Sequence, residues 1–224
     1  MEKLVTKALT IERKEIFDKN MKKRFELTFE SKGNKEKKSI LVIGLNPAST
    51  DINIIDTTTT FILNNLLPMG YTTITICNLY AELYHKRLKP SDVQSNLDNL
   101  KYMDEILKRG FDKILVGYGN TFTSNKTVKE QKKKLKKLLE SHKEKVVDII
   151  DKEGKYSYLK ATHPLMAGRY FCNRWELRPF DFSEEAGKEQ SISKSTLERK
   201  EENRNETDYQ NSDSEPVVLI EANQ

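Results

Sequence analysis

Short aliphatic runs separated by segments of helical periodicity constrain this chain most. "ILVIG" at 40–44, "YTTITICNLY" at 71–80 and "KILVGYGN" at 113–120 are too short for buried helices and carry β-branched residues. That is the pattern of strands covered on both faces, as in a parallel sheet. Between the runs, apolar residues recur every three or four positions. Asp56 can cap a helix carrying Phe61, Ile62, Leu66 and Leu67, ended by Pro68 and Gly70. Pro90-Ser91-Asp92 opens a second, with Val93, Leu97, Leu100, Met103 and Leu107 inward and Gly110 as its terminating residue. A third, Lys-rich helix is predicted from about Asn125 to Lys145, with Val128, Leu135, Leu138 and Leu139 as its inward side. "YSYLKATHPL" at 156–165 reads as a fourth strand, ended by His163-Pro164.

Alternating strands and helices predict an α/β fold of three layers, with a central, mostly parallel four-stranded sheet. Near the N-terminus, Phe25, Leu27 and Phe29 alternate with polar neighbours, and Ser31 to Asn34 supply a turn. An antiparallel N-terminal extension, beginning as early as Thr10–Phe17, is expected to join that sheet. Residues 1–182 are expected to form this single domain.

Residues 183–224 differ in composition. They carry eleven acidic and five basic residues, net −6, which leaves +11 on residues 1–182 out of a total of +5. With few apolar groups to offset ordering entropy, 183–224 is predicted to be a disordered acidic tail. The basic remainder favours anionic partners, with nucleic acid or a nucleotide the expected class. Ten lysines and five acids within 126–152 read as a solvated helix face compatible with such a partner. No apolar stretch approaches the length of a membrane span, and the first residues lack a signal-peptide pattern, so a cytoplasmic protein without a membrane partner is expected. Cys77 and Cys172 are too few for a disulfide scaffold, and the three histidines stand in no metal-ligand spacing. No metal and no cofactor is predicted. Phosphate-loop and dinucleotide glycine motifs are missing as well.

In parallel sheets, ligands bind beyond the carboxyl ends of the strands. Four unusual segments are expected there: Gly44-Leu45-Asn46-Pro47, Cys77-Asn78-Leu79, Gly117-Tyr118-Gly119-Asn120 and Thr162-His163-Pro164. The Asn46 amide can orient a water or hold a carbonyl edge, and the His163 imidazole can donate to a developing anion or shuttle a proton. Ser49, Asp51 or Asp56 could form a nucleophile set with His163, but the flanks lack the Gly-x-Ser-x-Gly elbow.

The order "GLNPASTD…DTTTT…NLYA…GYGN…HPL" resembles a small bacterial and phage family, domain of unknown function 1643. The likeness spans roughly Phe25 to Arg178 and rests on Leu45, Asn46, Pro47, Asp56, Thr58, Asn78, Leu79, Ala81, Gly119, His163, Pro164 and Leu165. Tyr118 stands where that family usually has Trp, and Thr162 where Arg is expected. More distantly, Gly44-Leu45-Asn46-Pro47 and His163-Pro164-Leu165 resemble two motifs of the uracil-DNA glycosylase superfamily, in order and strand context. This second resemblance implies a sandwich around a four-stranded parallel sheet and a glycosylase-like hydrolase acting on a nucleobase–sugar bond.

On that resemblance the roles are distinct. Asn46 orients the attacking water and His163 stabilises charge on the base oxygen. Asn78 or Asn120 reads the base edge, Tyr80 or Tyr118 stacks on it, and Gly44, Pro47, Ser49, Asp51, Asp56 and Leu165 line the site. Leu165 replaces the small residue of the superfamily's DNA-contacting loop. The alternative expectation is a non-catalytic nucleotide- or nucleic-acid-binding module, of phage or defence origin. A protein-interaction factor whose acidic tail competes with nucleic acid for the basic body is the third. Sequence leaves the oligomeric state open.

Overall fold

Ile40, Leu41, Val42 and Ile43 are each no more than 1% exposed, because successive strand residues point to opposite faces and both faces are covered. They lie in β3 (Ser39–Gly44) of a computed structural model that describes residues 6–33, 36–47, 51–83, 96–156, 159–172 and 174–183. In chain order the other elements are β1 (Ile11–Phe17), β2 (Arg24–Ser31), α1 (Thr57–Leu66), β4 (Thr73–Asn78) and α2 (Leu97–Leu107). There follow β5 (Lys113–Val116), α3 (Lys126–Leu139), β6 (Val146–Asp151), α4 (Pro164–Tyr170) and β7 (Trp175–Pro179).

The fold is mixed α/β. The strands form one seven-stranded sheet in the order β1-β2-β4-β3-β5-β6-β7. Four adjacent strands within it pair in parallel, β4 with β3, β3 with β5 and β5 with β6. The other three pairings are antiparallel, β1 with β2, β2 with β4 and β6 with β7. The expected N-terminal extension is therefore present as β1 and β2, and it widens the sheet beyond four strands. The β7 edge strand was not anticipated.

Ile40 and Val42 pack with Ile74, Ile76, Leu115, Val147 and Ile149 beneath Ile62, Leu63 and Leu66 of α1 and Ala167 of α4. On the opposite face, Leu41 and Ile43 pack with Cys77, Ile114 and Val116 beneath Leu100, Met103 and Ile106 of α2 and Val128, Leu135 and Leu139 of α3. Helices thus cover both faces. Close packing of α1 on α4 depends on Gly168, where a β-carbon would come within 2.2 Å of the Phe61 ring.

The helix expected after β3 forms as read, with Asp56 as its N-cap. Its side chain accepts from the Thr59 amide at 3.1 Å and from the Thr59 hydroxyl at 2.7 Å. The described part of the second helix starts at Leu97 with Asn96 as its cap, and its expected opening at 90–92 lies outside the described residues. Gly110 adopts the left-handed φ of +78° expected of a helix-terminating glycine.

The fourth parallel strand needs correcting. It is Val146–Asp151, while the described residues of "YSYLKATHPL", 156 and 159–163, are not strand, and Pro164 opens α4. Two features concealed this. Asp148 interrupts the apolar run 146–150, but it is buried beside Arg178 of β7, which offsets its charge. Pro164, read as a stop, occupies the first turn of α4, where its missing N–H costs no hydrogen bond.

Candidate functional site

β3 lies between β4 and β5, and its connections diverge. The chain leaves β3 for β4 through α1 on one face and leaves β5 for β6 through α3 on the other. Helices on opposite faces leave adjacent strand ends uncovered between them, and this switch point is where the topology of such sheets predicts a ligand crevice. The segments flanking it are Gly44-Leu45-Asn46 at the end of β3 and Gly117-Tyr118-Gly119 after β5, both singled out from sequence.

On the β3 side, backbone hydrogen bonds run past the strand. Gly44 O accepts from the Leu79 amide and Leu45 O from the Tyr80 amide, each at 2.9 Å. The Asn78 side chain lies over Gly44, whose β-carbon, if present, would sit 2.6 Å from Asn78 Oδ1. Asn78 is only 5% exposed, and no hydrogen bond of its side-chain amide is seen among the described residues. The backbone carbonyls of Asn78 and Leu79 accept from Nδ2 of Asn99 on α2, at 2.7 and 3.1 Å. Asn46 is half-buried, with Nδ2 donating to the Pro47 carbonyl at 3.1 Å, and Pro47 is buried. Ser49 lies outside the described residues. Asp51 is exposed and accepts from the Asn53 amide at 2.8 Å. Arg13 of β1 secures this loop by donating to the carbonyls of Ile52 at 2.6 Å and Ile54 at 2.8 Å.

On the β5 side, the Gly117 amide donates to Ile43 O at 2.9 Å. A β-carbon at 117 would meet Pro164 Cδ at 3.0 Å, and one at 119 would meet His163 Cβ at 3.0 Å. Gly119 also needs its positive φ of 72°, which an L side chain would strain. Its amide donates to Ala161 O at 2.8 Å. His163 is therefore brought to the end of β5 by close backbone packing, although no strand of its own delivers it. Tyr118 is buried, and Lys132 of α3 stands 4.6 Å from its ring centroid while donating to Gly119 O at 2.8 Å. Tyr80 is 1% exposed within the core on the α2 side, and Asn120 is exposed.

His163 caps α4. Its Nδ1 accepts from the Leu165 amide at 3.2 Å, so a neutral ring carries its proton on Nε2. Burial holds its pKa below the ordinary histidine value, and the Asp56 carboxylate opposes that shift. The result is a neutral imidazole at neutral pH with Nε2–H available as a donor. Next to it, the buried Thr162 hydroxyl has no hydrogen-bond partner. Among the described residues, no group of three or more His, Cys, Asp or Glu converges as a metal site would require. Likewise, no helix among the described residues is long and apolar enough to cross a membrane.

Residues 24–165 match the family model described as Protein of unknown function (DUF1643). The chain belongs to that family. No curated protein and no solved structure matches it. The DUF1643 match contains both flanking segments and ends at Leu165, just inside α4, so β7 lies outside it.

Within this DUF1643 chain, sequence reasoning missed Arg13, Asn99, Lys132 and the Asp148–Arg178 pair. Asn99 had a usable signal, as a polar residue four positions before Met103 on the inward face of α2. Lys132 had a weaker one, four after Val128 and three before Leu135, hidden among many lysines.

Proposed function

We propose that the crevice between β3 and β5 binds a nucleobase and that the protein is a glycosylase-like hydrolase of a nucleobase–sugar bond. The observation that carries this reading is the seating of His163 against Gly119 at the topological switch point, where Asn46 follows β3 and Asn78 ends β4 over Gly44. The Asn78 side-chain amide, almost buried at the end of β4, carries both a donor and an acceptor and is suited to the edge of a base. His163, neutral and with its proton on Nε2, can donate to a base oxygen as negative charge develops during bond cleavage. Asn46 would position the attacking water. The more specific likeness to the uracil-DNA glycosylase superfamily is supported by the parallel inner strands and by the Asn-Pro and His-Pro segments at their carboxyl edge.

The test is release of free base from uracil- and modified-base-containing DNA and from the corresponding nucleosides. Removing one donor to a developing anion typically lowers kcat about 10²–10³-fold, so His163→Ala is expected to lose activity on that scale. Asn46→Ala is expected to abolish release while the fold persists. One observation favours the non-catalytic alternative. Both Asp56 oxygens are engaged by Thr59, so the carboxylate facing His163 is occupied as a helix cap. Binding of nucleotide or DNA without base release over the whole panel would decide for that module.

A further inference from the structure

One ion pair reaches further than its two strands require. Asp148 of β6 and Arg178 of β7 face each other in the antiparallel register. Arg178 Nε donates to Asp148 Oδ1 at 2.7 Å and Nη2 to Oδ2 at 3.1 Å, a bidentate contact. The Asp148 side chain is 2% exposed. A buried pair of this kind often contributes little net stability, and four other residue pairs join β6 to β7. The remaining bonds of the pair go elsewhere. Arg178 Nη2 donates to the Leu159 carbonyl, and Asp148 Oδ2 accepts from the Ala161 amide at 3.1 Å.

Ala161 is where the chain turns toward the crevice. It has a φ of +48°, a conformation that costs an L residue energy and persists only when its surroundings hold it. Asp148 holds its amide, Gly119 holds its carbonyl, and Thr162 and His163 follow directly. We propose that Asp148 and Arg178 are positioning residues for His163: the pair clamps Leu159 and Ala161 so that the strained turn sets the imidazole against Gly119. This rests on the reading of His163 as a crevice residue. It places part of the site's support in β7, beyond the stretch shared with the family.

The experiment uses the full chain and Arg178→Lys. A lysine keeps the charge opposite Asp148, but its single ammonium lacks the planar fork that spans the carboxylate and the Leu159 carbonyl. The readout is the ring of His163 in NMR spectra, one of only three histidines. In the unmodified protein, its nitrogen shifts are expected to report the Nε2–H tautomer, with a titration midpoint below about 6.5. In Arg178→Lys, the ring is expected to sample both tautomers and its midpoint to rise toward that value, while His142 stays unchanged. A folded variant with the His163 ring unaltered overturns the proposal.

Trp175→Phe, a core change on the same strand, is the control. An equal response of His163 to it would show that β7 stability alone matters and would also overturn the proposal. If Arg178→Lys fails to fold, Ala161→Gly, which relaxes the strained turn, must disorder the ring for the proposal to stand. Base release is scored separately. Absence of release in the unmodified chain with a responsive His163 rejects the glycosylase reading alone, and release with an indifferent His163 rejects the clamp alone.

Discussion

His163 combines three constraints in one side chain. Its Nδ1 caps α4, its β-carbon packs on Gly119, and burial depresses its pKa. A histidine whose folded pKa lies below its unfolded value is bound by more protons when unfolded, so stability rises with pH across the interval between them. The contribution is complete above about pH 6.5 and is lost as pH falls from there through the lowered folded value. Replacing His163 by Asn keeps a side-chain acceptor for the cap and removes the titration. Denaturant unfolding from pH 7.5 to 5 is expected to show a flatter stability profile for His163→Asn than for the unmodified protein. Parallel profiles would exclude His163 as the titrating group.

The helices α1 and α4 pack together on one face of the sheet through a close contact. Asp56 begins α1, His163 begins α4, and the helices meet at Phe61 and Gly168. Alanine at 168 would gain helix propensity of about 1 kcal/mol but would drive a methyl group into the Phe61 ring. Overpacking of this kind usually costs about 1–3 kcal/mol, so Gly168→Ala is expected to be net destabilising by chemical denaturation. Phe61→Leu, which removes the ring, is expected to rescue part of the loss in a double-mutant cycle. Full additivity of the two changes would mean that the helices do not depend on this contact.

At the scale of the molecule, charge is divided along the chain, +11 on residues 1–182 and −6 on 183–224. If the anionic partner is nucleic acid, its affinity should fall steeply with added salt because bound counterions are released. Removing residues 183–224 is expected to strengthen DNA binding at low salt, measured by fluorescence anisotropy across a salt series. An affinity that ignores both salt and truncation would turn attention to a small neutral ligand in the crevice.

The α/β class, the cap of α1 and the start of α3 near Asn125 were legible because each rests on local pattern: apolar runs, a capping residue, helical spacing. The family was legible too, since its motifs are short and contiguous. What the local pattern could not carry was pairing. Asp148 looks like a break in an apolar run until Arg178, thirty residues later, lies opposite it. Tyr80 and Tyr118 read alike as aromatic residues near strand ends, yet Tyr80 is sealed in the core and Tyr118 lies beneath Lys132. His163 read as the end of a strand, but Gly117 and Gly119 let Pro164 and His163 pack close, where a β-carbon at either position would meet them at 3.0 Å. Sequence by itself determined which residues prefer strand, helix or turn, since those preferences act over a few bonds. Tertiary structure alone decided which distant groups share a wall of the crevice, because burial and charge compensation depend on partners that the chain brings together only when it folds.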